Sequence, residues 1–490
     1  MTPGAAVAAP RSDSLAARAL AIAAAVVTVV SLAFVLTWAF ANLRVRPSMG
    51  GEGETLFEAA RIRAGLPLYI DPIEGTLDYG APGTHYFVLY PPLWSWALSH
   101  VSDAARGVTG RLLGFSAWTV GLSVLVARAD RGSRRHALVF AVFFASIFNL
   151  ALFIVTVRAD AAASLFAAIA LERATRRGRV DAIAGALFAL AAWTKPTFLG
   201  LPAGAIFVTL LVAPRLVWRA LAGALAVSAV LFAILHRASD GQWFHHLLAS
   251  TLQPFDPEHW WASISHEAFF FFAPAAYAAI TAWKRRLDPR VAVGLGALAV
   301  SFAWGVFSVA KVGSATNYWI ETALAVVAIA ARTPPPALTE RPALAALALA
   351  QALWSGVASM RSAPEWIASD RRVDALIASS RALCGARDAD FVLSDEVGTE
   401  LRLDGRIATT AYQMAFLARA GRFPVAPWVA DIDRANVTCF VEHFHVMRRV
   451  PELTRALDAK FAPVASTDGW TVLRARPLPP VFSGPLSRPL

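Results

Sequence analysis

Residues 182–213 read AIAGALFALAAWTKPTFLGLPAGAIFVTLLVA. Apolar residues run on both sides of a single break at Lys195-Pro196. A membrane-spanning helix needs about 20 apolar residues, with a range of about 17–25. The stretch is too long for one span, and a proline inside a helix costs about 3 kcal/mol or more. We therefore read two spans, 182–194 and 197–213, joined at a turn that carries a lysine. Outward from this pair the same texture recurs at 19–41, 109–127, 137–157, 160–172, 220–236, 267–283, 291–310, 317–331 and 342–358. The total is eleven spans, of which 160–172 and 182–194 are short. Ala39-Phe40-Ala41 resembles a signal-peptidase site, but the apolar run before it far exceeds the 7–15 residues of a signal-peptide core, so the first span is expected to stay.

Composition agrees with a bilayer protein. The chain has 490 residues, 57% hydrophobic and 16% charged, where soluble chains are about 45–50% apolar and about 25% charged. Such values exclude a soluble enzyme of this size and a disordered chain, and two cysteines exclude a disulfide scaffold. Charge is uneven. Residues 361–490 carry 32 Asp, Glu, Lys and Arg, a soluble density, against 47 in residues 1–360. The fold expected is an α-helical polytopic membrane protein of about eleven transmembrane helices. Residues 1–358 form the membrane region and 359–490 a small soluble α/β domain.

The net charge of +11 is a topology signal rather than a nucleic-acid one. Arg11 and Arg18 precede span one. Arg128, Arg131, Arg134 and Arg135 follow span two, and Arg173, Arg176, Arg177 and Arg179 follow span four. Arg215 and Arg219 follow span six; Lys284, Arg285, Arg286 and Arg290 follow span eight; Arg332 and Arg341 follow span ten. All lie in even-numbered loops or at the N-terminus, and they are 18 of the 28 basic residues before position 361. The positive-inside rule makes these loops cytoplasmic. Loop 43–108, loop 237–266, the turns near 158, 195 and 311–317, and the tail then face outward.

Loop 43–108 is too long for a plain connector. It holds Tyr69, Tyr79, Tyr86, Phe87, Tyr90, Trp94 and Trp96, and Pro91-Pro92 interrupts its apolar stretch 86–101. Aromatic residues favour the membrane interface, so helices lying on the surface are expected there. In the tail, 369–386 has a helical period, while 389–395, 437–442 and 470–475 read as strands. Residues 333–336 and 476–490 are Pro-rich and read as a loop and a disordered end.

Ionisable groups at membrane depth are costly and mark function by default. Glu52 and Glu54 lie among Gly50, Gly51 and Gly53 just past span one. They suit a general base or the ligands of a divalent cation, and equally a solvated helix start. Arg158 and Asp160 form either an ion pair at a turn or an anion-binding Arg oriented by its Asp. Lys195 either snorkels or neutralises a phosphate. Lys311, Asn317, Tyr318 and Glu321 open a late span, with Asn317 and Glu321 on one helix face. Either a lined cavity or an interhelical contact fits them. His245, His246, His259 and His266 match no zinc signature, and His85 stands among the first-loop aromatics. Cys384 and Cys439 both lie in the tail, and the sequence leaves open whether they meet. No P-loop, GxGxxG, HExxH or nucleophile elbow stands in a convincing context.

The order of these features carries a resemblance. GGEGETLFEAARIRAGLPLYIDP follows span one, and YPPLWSWALSH comes before a span opening at Gly110-Arg111-Leu112. VRAD follows span three, TKPT span five, and NYWIE opens a late span. This resembles the GT-C superfamily of membrane glycosyltransferases over about residues 20–330. The nearest groups are the bacterial relatives of the protein mannosyltransferase and lipid A aminoarabinose transferase families. The resemblance implies transfer of a sugar from a polyprenyl-phosphate donor to a glycan, lipid or protein acceptor on the outer face of a bacterial inner membrane. The N-terminus would be cytoplasmic and the tail extracytoplasmic. It implies that Glu52 or Glu54 is the catalytic carboxylate, although Gly51 stands where many relatives carry an acid. It sets Arg158 and Lys195, with Asp160, at the donor phosphate. We expect Tyr69, Asp71, His85, Tyr90, Asn317, Tyr318 and Glu321 to line the substrate cavity. A divalent cation stays open as a cofactor. A secondary transporter or flippase of lipid-linked sugars is the competing reading, although the paired broken helices typical of one are not evident.

Overall fold

The computed structural model describes residues 15–43, 50–70, 86–251, 255–265, 269–311, 315–335, 342–405 and 407–476. The chain divides into two compact units. The first holds Met1–Val45, Glu58–Tyr69 and Val88–Ala368, and the second holds Arg46–Phe57, Ile70–Phe87 and Ser369–Leu490.

Among its described residues the regular elements of the first unit are helices, apart from one isolated bridge that pairs Phe255 with Lys311. It opens with α1 (Leu15–Ala41), and α2 (Gly50–Arg63) is divided between the units. Then come α3 (Leu93–Ser99), α4 (Asp103–Ala127), α5 (Arg134–Ala145), α6 (Phe148–Ile154), α7 (Ala159–Arg177), α8 (Ala182–Thr194) and α9 (Gly200–Val212). The series continues with α10 (Pro214–Ala238), α11 (Gln242–Thr251), α12 (Pro257–Ser263), α13 (Phe269–Ala282), α14 (Pro289–Ser308), α15 (Ile320–Ala330) and α16 (Pro342–Cys384). Ten of the eleven expected segments each overlap one α-helix, and 137–157 is split between α5 and α6. Five of them, α1, α4, α10, α14 and α16, are long and apolar enough to cross a bilayer alone. The pair α5–α6 makes a sixth, bent by 80°. The expected domain limit at 358 lies inside α16, which runs 43 residues without a break through Pro364.

Lys195 shows why the break at 195–196 forms. A residue before proline is pushed out of the helical region, and Lys195 is extended (φ −148°, ψ 110°), ending α8. Helices then pack through small residues. A Cβ at Gly204 would strike the Gly296 carbonyl, and one at Gly223 the Ala182 carbonyl, so α9 meets α14, and α10 meets α8, backbone to backbone. Between membrane helices such small-residue contacts replace a hydrophobic drive that lipid does not supply.

The connecting turns gather by parity. Asp130, after α4, donates its N–H to the Ala331 carbonyl at 2.9 Å. Arg332 is buried; it donates to the Arg128 carbonyl at 2.8 Å and pairs with Asp130 at 3.2 Å and Glu172 at 3.5 Å. Arg285 donates to the Arg332 carbonyl at 2.6 Å. The turns after expected spans two, eight and ten therefore meet one another and the last residue of span four. Arg332 is more than a topology charge, because it ties these turns together.

The second unit holds β1 (Phe391–Ser394), β2 (Val437–Glu442), β3 (Phe461–Thr467) and β4 (Trp470–Ala475) in the sheet order β1-β2-β4-β3. The pair β1–β2 is parallel and the other pairs antiparallel. Helices α17 (Val397–Asp404), α18 (Ala411–Arg419), α19 (Ala426–Asp433) and α20 (Pro451–Lys460) complete it. The last part of α16 packs Val373 and Ile377 on Val392, Val441, Trp470 and Val472. Three strands fall where the pattern predicts; β3 does not show in the sequence. It is a half-exposed edge strand containing Pro463, and its place comes from the hairpin with β4. That turn is Asp468-Gly469, both at positive φ (48° and 78°), the backbone that two-residue hairpins require. Cys384 at the end of α16 is disulfide-bonded to Cys439 in β2.

Candidate functional site

In the first unit the turns near 158, 195 and 317 converge on one carboxylate. Asp160 sits in the first turn of α7, where the helix dipole favours an anion. Arg158 caps that helix with extended backbone and reaches Asp160 Oδ2 with its Nε at 3.3 Å. Lys195 Nζ pairs with Asp160 Oδ1. Asn317, in the short 3-10 turn Thr316–Trp319 before α15, donates from Nδ2 to the same oxygen at 3.0 Å. Asp160 is 0% and Lys195 1% exposed at the side chain. The ammonium of Lys195 lies 5.6 Å from the Tyr90 ring centre and 6.0 Å from that of Tyr318. Lys311 is close enough to act on Lys195 electrostatically.

Arg158 and Lys195 both lie on Asp160, and Lys195 is also within electrostatic reach of Lys311 and Glu321. A desolvated pair needs near-complete hydrogen bonding to persist, and Asn317 supplies part of it. A guanidinium and an ammonium held together on one carboxylate are groups that can also meet the oxygens of an anion.

Glu321 has a different task. Its oxygens accept the N–H groups of Gly200 at 3.1 Å and Leu201 at 3.0 Å. These open α9, whose own preceding residue provides no side-chain cap. The carboxylate caps a neighbouring helix, so the interhelical contact considered for it is present. Tyr69 donates to the Tyr90 carbonyl at 3.5 Å and meets the His246 ring edge-on at 5.3 Å. His246 is buried and accepts the Val88 N–H on Nδ1 at 3.0 Å. Asp71 and His85 lie outside the described residues.

Glu52 and Glu54 belong to the second unit. Both are in the first turns of α2 and buried, at 0% and 5% exposure. Gln413 Nε2 donates to Glu54 Oε1 at 3.4 Å, and the Tyr86 hydroxyl donates to the Glu54 carbonyl at 3.4 Å. Sequence reasoning missed Gln413, because nothing local links positions 359 residues apart. It also missed Glu58, which accepts the Ser95 hydroxyl at 2.5 Å. Among the described residues no three His, Cys, Asp or Glu side chains are grouped to hold a metal ion.

No model of a known protein family matches the chain. No curated protein matches it. Among solved structures it is similar to the crystal structure of ArnT from Cupriavidus metallidurans bound to undecaprenyl phosphate. The TM-score is 0.57 at 14% sequence identity, covering 92% of this chain and 99% of that one. At that identity the likeness shows the fold alone, and with the apolar helices it describes an integral membrane protein.

Proposed function

We propose that this protein is an inverting membrane glycosyltransferase that takes a sugar from a polyprenyl-phosphate donor. The observation that carries the reading is the buried cationic cluster of Arg158 and Lys195 on Asp160, held by Asn317. A phosphate leaving group gains negative charge as the glycosidic bond breaks, and preorganised cations meet that charge. Glu52, with Glu54 as the alternative, takes the proton of the acceptor hydroxyl as its oxygen attacks the anomeric carbon. The carbon–oxygen bond to the acceptor forms, the bond to phosphate breaks, and the lipid phosphate keeps the electron pair. One displacement inverts the anomeric centre.

Three further observations support the reading. The neighbour of like fold holds a polyprenyl phosphate. No soluble nucleotide motif is in the sequence, as a lipid-linked donor would have it. The disulfide between Cys384 and Cys439 suits an oxidising compartment, in keeping with an extracytoplasmic tail, a cytoplasmic N-terminus and eleven crossings of a bacterial inner membrane. The acceptor is a glycan, a lipid or a protein hydroxyl.

The test is turnover of a panel of polyprenyl-phosphate sugars by purified protein beside Glu52→Gln. Release of lipid phosphate by wild type with a loss of about 100-fold or more in the variant is expected for a general base. Equal turnover by both proteins removes Glu52 from the role. Movement of a lipid-linked sugar across vesicles without its consumption would replace the transferase by a flippase.

A further inference from the structure

We propose that the second unit positions the first-loop carboxylates, through Gln413 and through a glycine seat between α2 and α17. The inference rests on the transferase reading given above. Its physical basis lies wholly within the second unit.

The seat comes first. A Cβ added at Gly53 would lie 2.5 Å from the Gly398 nitrogen and 2.6 Å from its Cα. The obstacle is backbone, so it cannot swing aside. Only glycine lets α2 lie directly on the first turn of α17. Gly53 stands between Glu52 and Glu54, so the contact sets the height and rotation of both carboxylates at once.

The polar contacts hold the same segment. Gln413 is 7% exposed and gives its amide N–H to the Glu54 carboxylate. Its Oε1 is buried with no hydrogen-bond partner, so the amide serves here only as a donor. Tyr86 holds the Glu54 carbonyl and sets its ring edge-on to Phe57 at 5.1 Å. Phe87 donates its N–H to Thr410 Oγ1 at 3.1 Å, and its ring meets Phe423 at 6.1 Å. Two stretches of the first outer loop, 50–57 and 86–87, are thus fastened to α17, α18 and the residues beside them. That region is firm. Glu400 accepts the N–H groups of Ser394 at 2.9 Å and Ala408 at 2.8 Å, and Glu396 caps α17 through the Thr399 N–H at 2.7 Å. A donor on a carboxylate oxygen fixes its rotamer, and a general base must be held within reach of the proton it takes. Gln413 is accordingly a positioning residue, acting through Glu54.

The full-length protein in nanodiscs is compared with Gln413→Leu, Gln413→Glu and Gly53→Ala. Gly107→Ala is the control, at a place on α4 where an added Cβ meets nothing within 4 Å. Amide exchange over residues 50–57 is expected to rise about tenfold or more in Gln413→Leu and Gly53→Ala, with β1 and β2 still protected. kcat falls about 10–100-fold with the donor KM unchanged, as for a displaced catalytic group. In Gln413→Glu the acid limb of the pH–rate profile moves up by about a unit, since a second carboxylate opposes ionisation of the first. Unchanged exchange in Gln413→Leu and Gly53→Ala overturns the proposal. So does an unmoved acid limb in Gln413→Glu at wild-type kcat. If wild type consumes no lipid-linked donor but exchange still rises, the transferase reading fails and the grip on this segment stands.

Discussion

Lys195 was legible as a lysine at membrane depth, and Asp160 as an acid near an arginine. Their pairing was not, because 35 positions separate them. Removing one partner of a buried pair typically costs about 3–5 kcal/mol, since the other charge stays desolvated. Asp160→Asn is therefore expected to lower the melting temperature sharply, and adding Lys195→Met should restore part of it. A double-mutant cycle in detergent checks this, and strict additivity would show that the two groups do not interact. In the second unit Asp395 makes a different prediction. Burial, aided by the charges of Glu442 and Glu396 and opposed by the His443 N–H, pushes its carboxyl up to about 7. The unfolded value is about 3.9. The folded state thus binds the extra proton between those values, so this group's contribution is complete at low pH and is lost as pH rises from about 4 through 7. Unfolding of the second unit, followed in wild type and Asp395→Asn, should show a difference that changes over that window and is flat above it. A constant difference would mean that Asp395 ionises normally.

At the scale of elements, hydropathy located the helices but not their ends or contacts. The sequence breaks α8 from α9 because Pro196 acts on its own neighbour. It does not show that α16 continues past 358, because the apolar span and the amphipathic helix after it share one 3.6-residue period and differ only in what they face. Glycine contacts are equally hidden. Gly204→Val should separate α9 from α14, where a Cβ would strike the Gly296 carbonyl. A fall in thermal stability of about 1–3 kcal/mol, the usual cost of overpacking, is expected against a near-neutral Gly107→Ala. The bond between Cys384 and Cys439 links α16 to β2 across 55 positions. Reduction should destabilise the second unit by about 2–5 kcal/mol, visible as a lower midpoint with reductant. Equal midpoints would mean that the sheet alone sets its stability.

At the scale of the whole molecule, Arg332 and Arg285 tie together some of the basic turns that charge parity assigns to one side, those after expected spans two, eight and ten. The turns at 158, 195 and 317 meet elsewhere, on Asp160. Single cysteines introduced at Arg131 and Leu287 should therefore react with impermeant maleimide only after the inner face is opened. One at Asp468, exposed in the tail, should react from outside. The native cysteines are paired and stay silent. Labelling of all three from one side would break the topology.

By itself the sequence determined that this is a polytopic helical protein with a small α/β tail, and it set an expectation of which turns share a side. Those properties follow from local quantities: apolar run length, proline and the sign of loop charges. The tertiary structure decided what the isolated charges do. It set Arg158, Lys195 and Asn317 on one carboxylate and made Glu321 a helix cap. It grouped Glu52 and Glu54 with the tail through Gly53 and Gln413. Each of these depends on pairing between residues tens to hundreds of positions apart, and side chains in low dielectric must find such partners wherever the fold brings them.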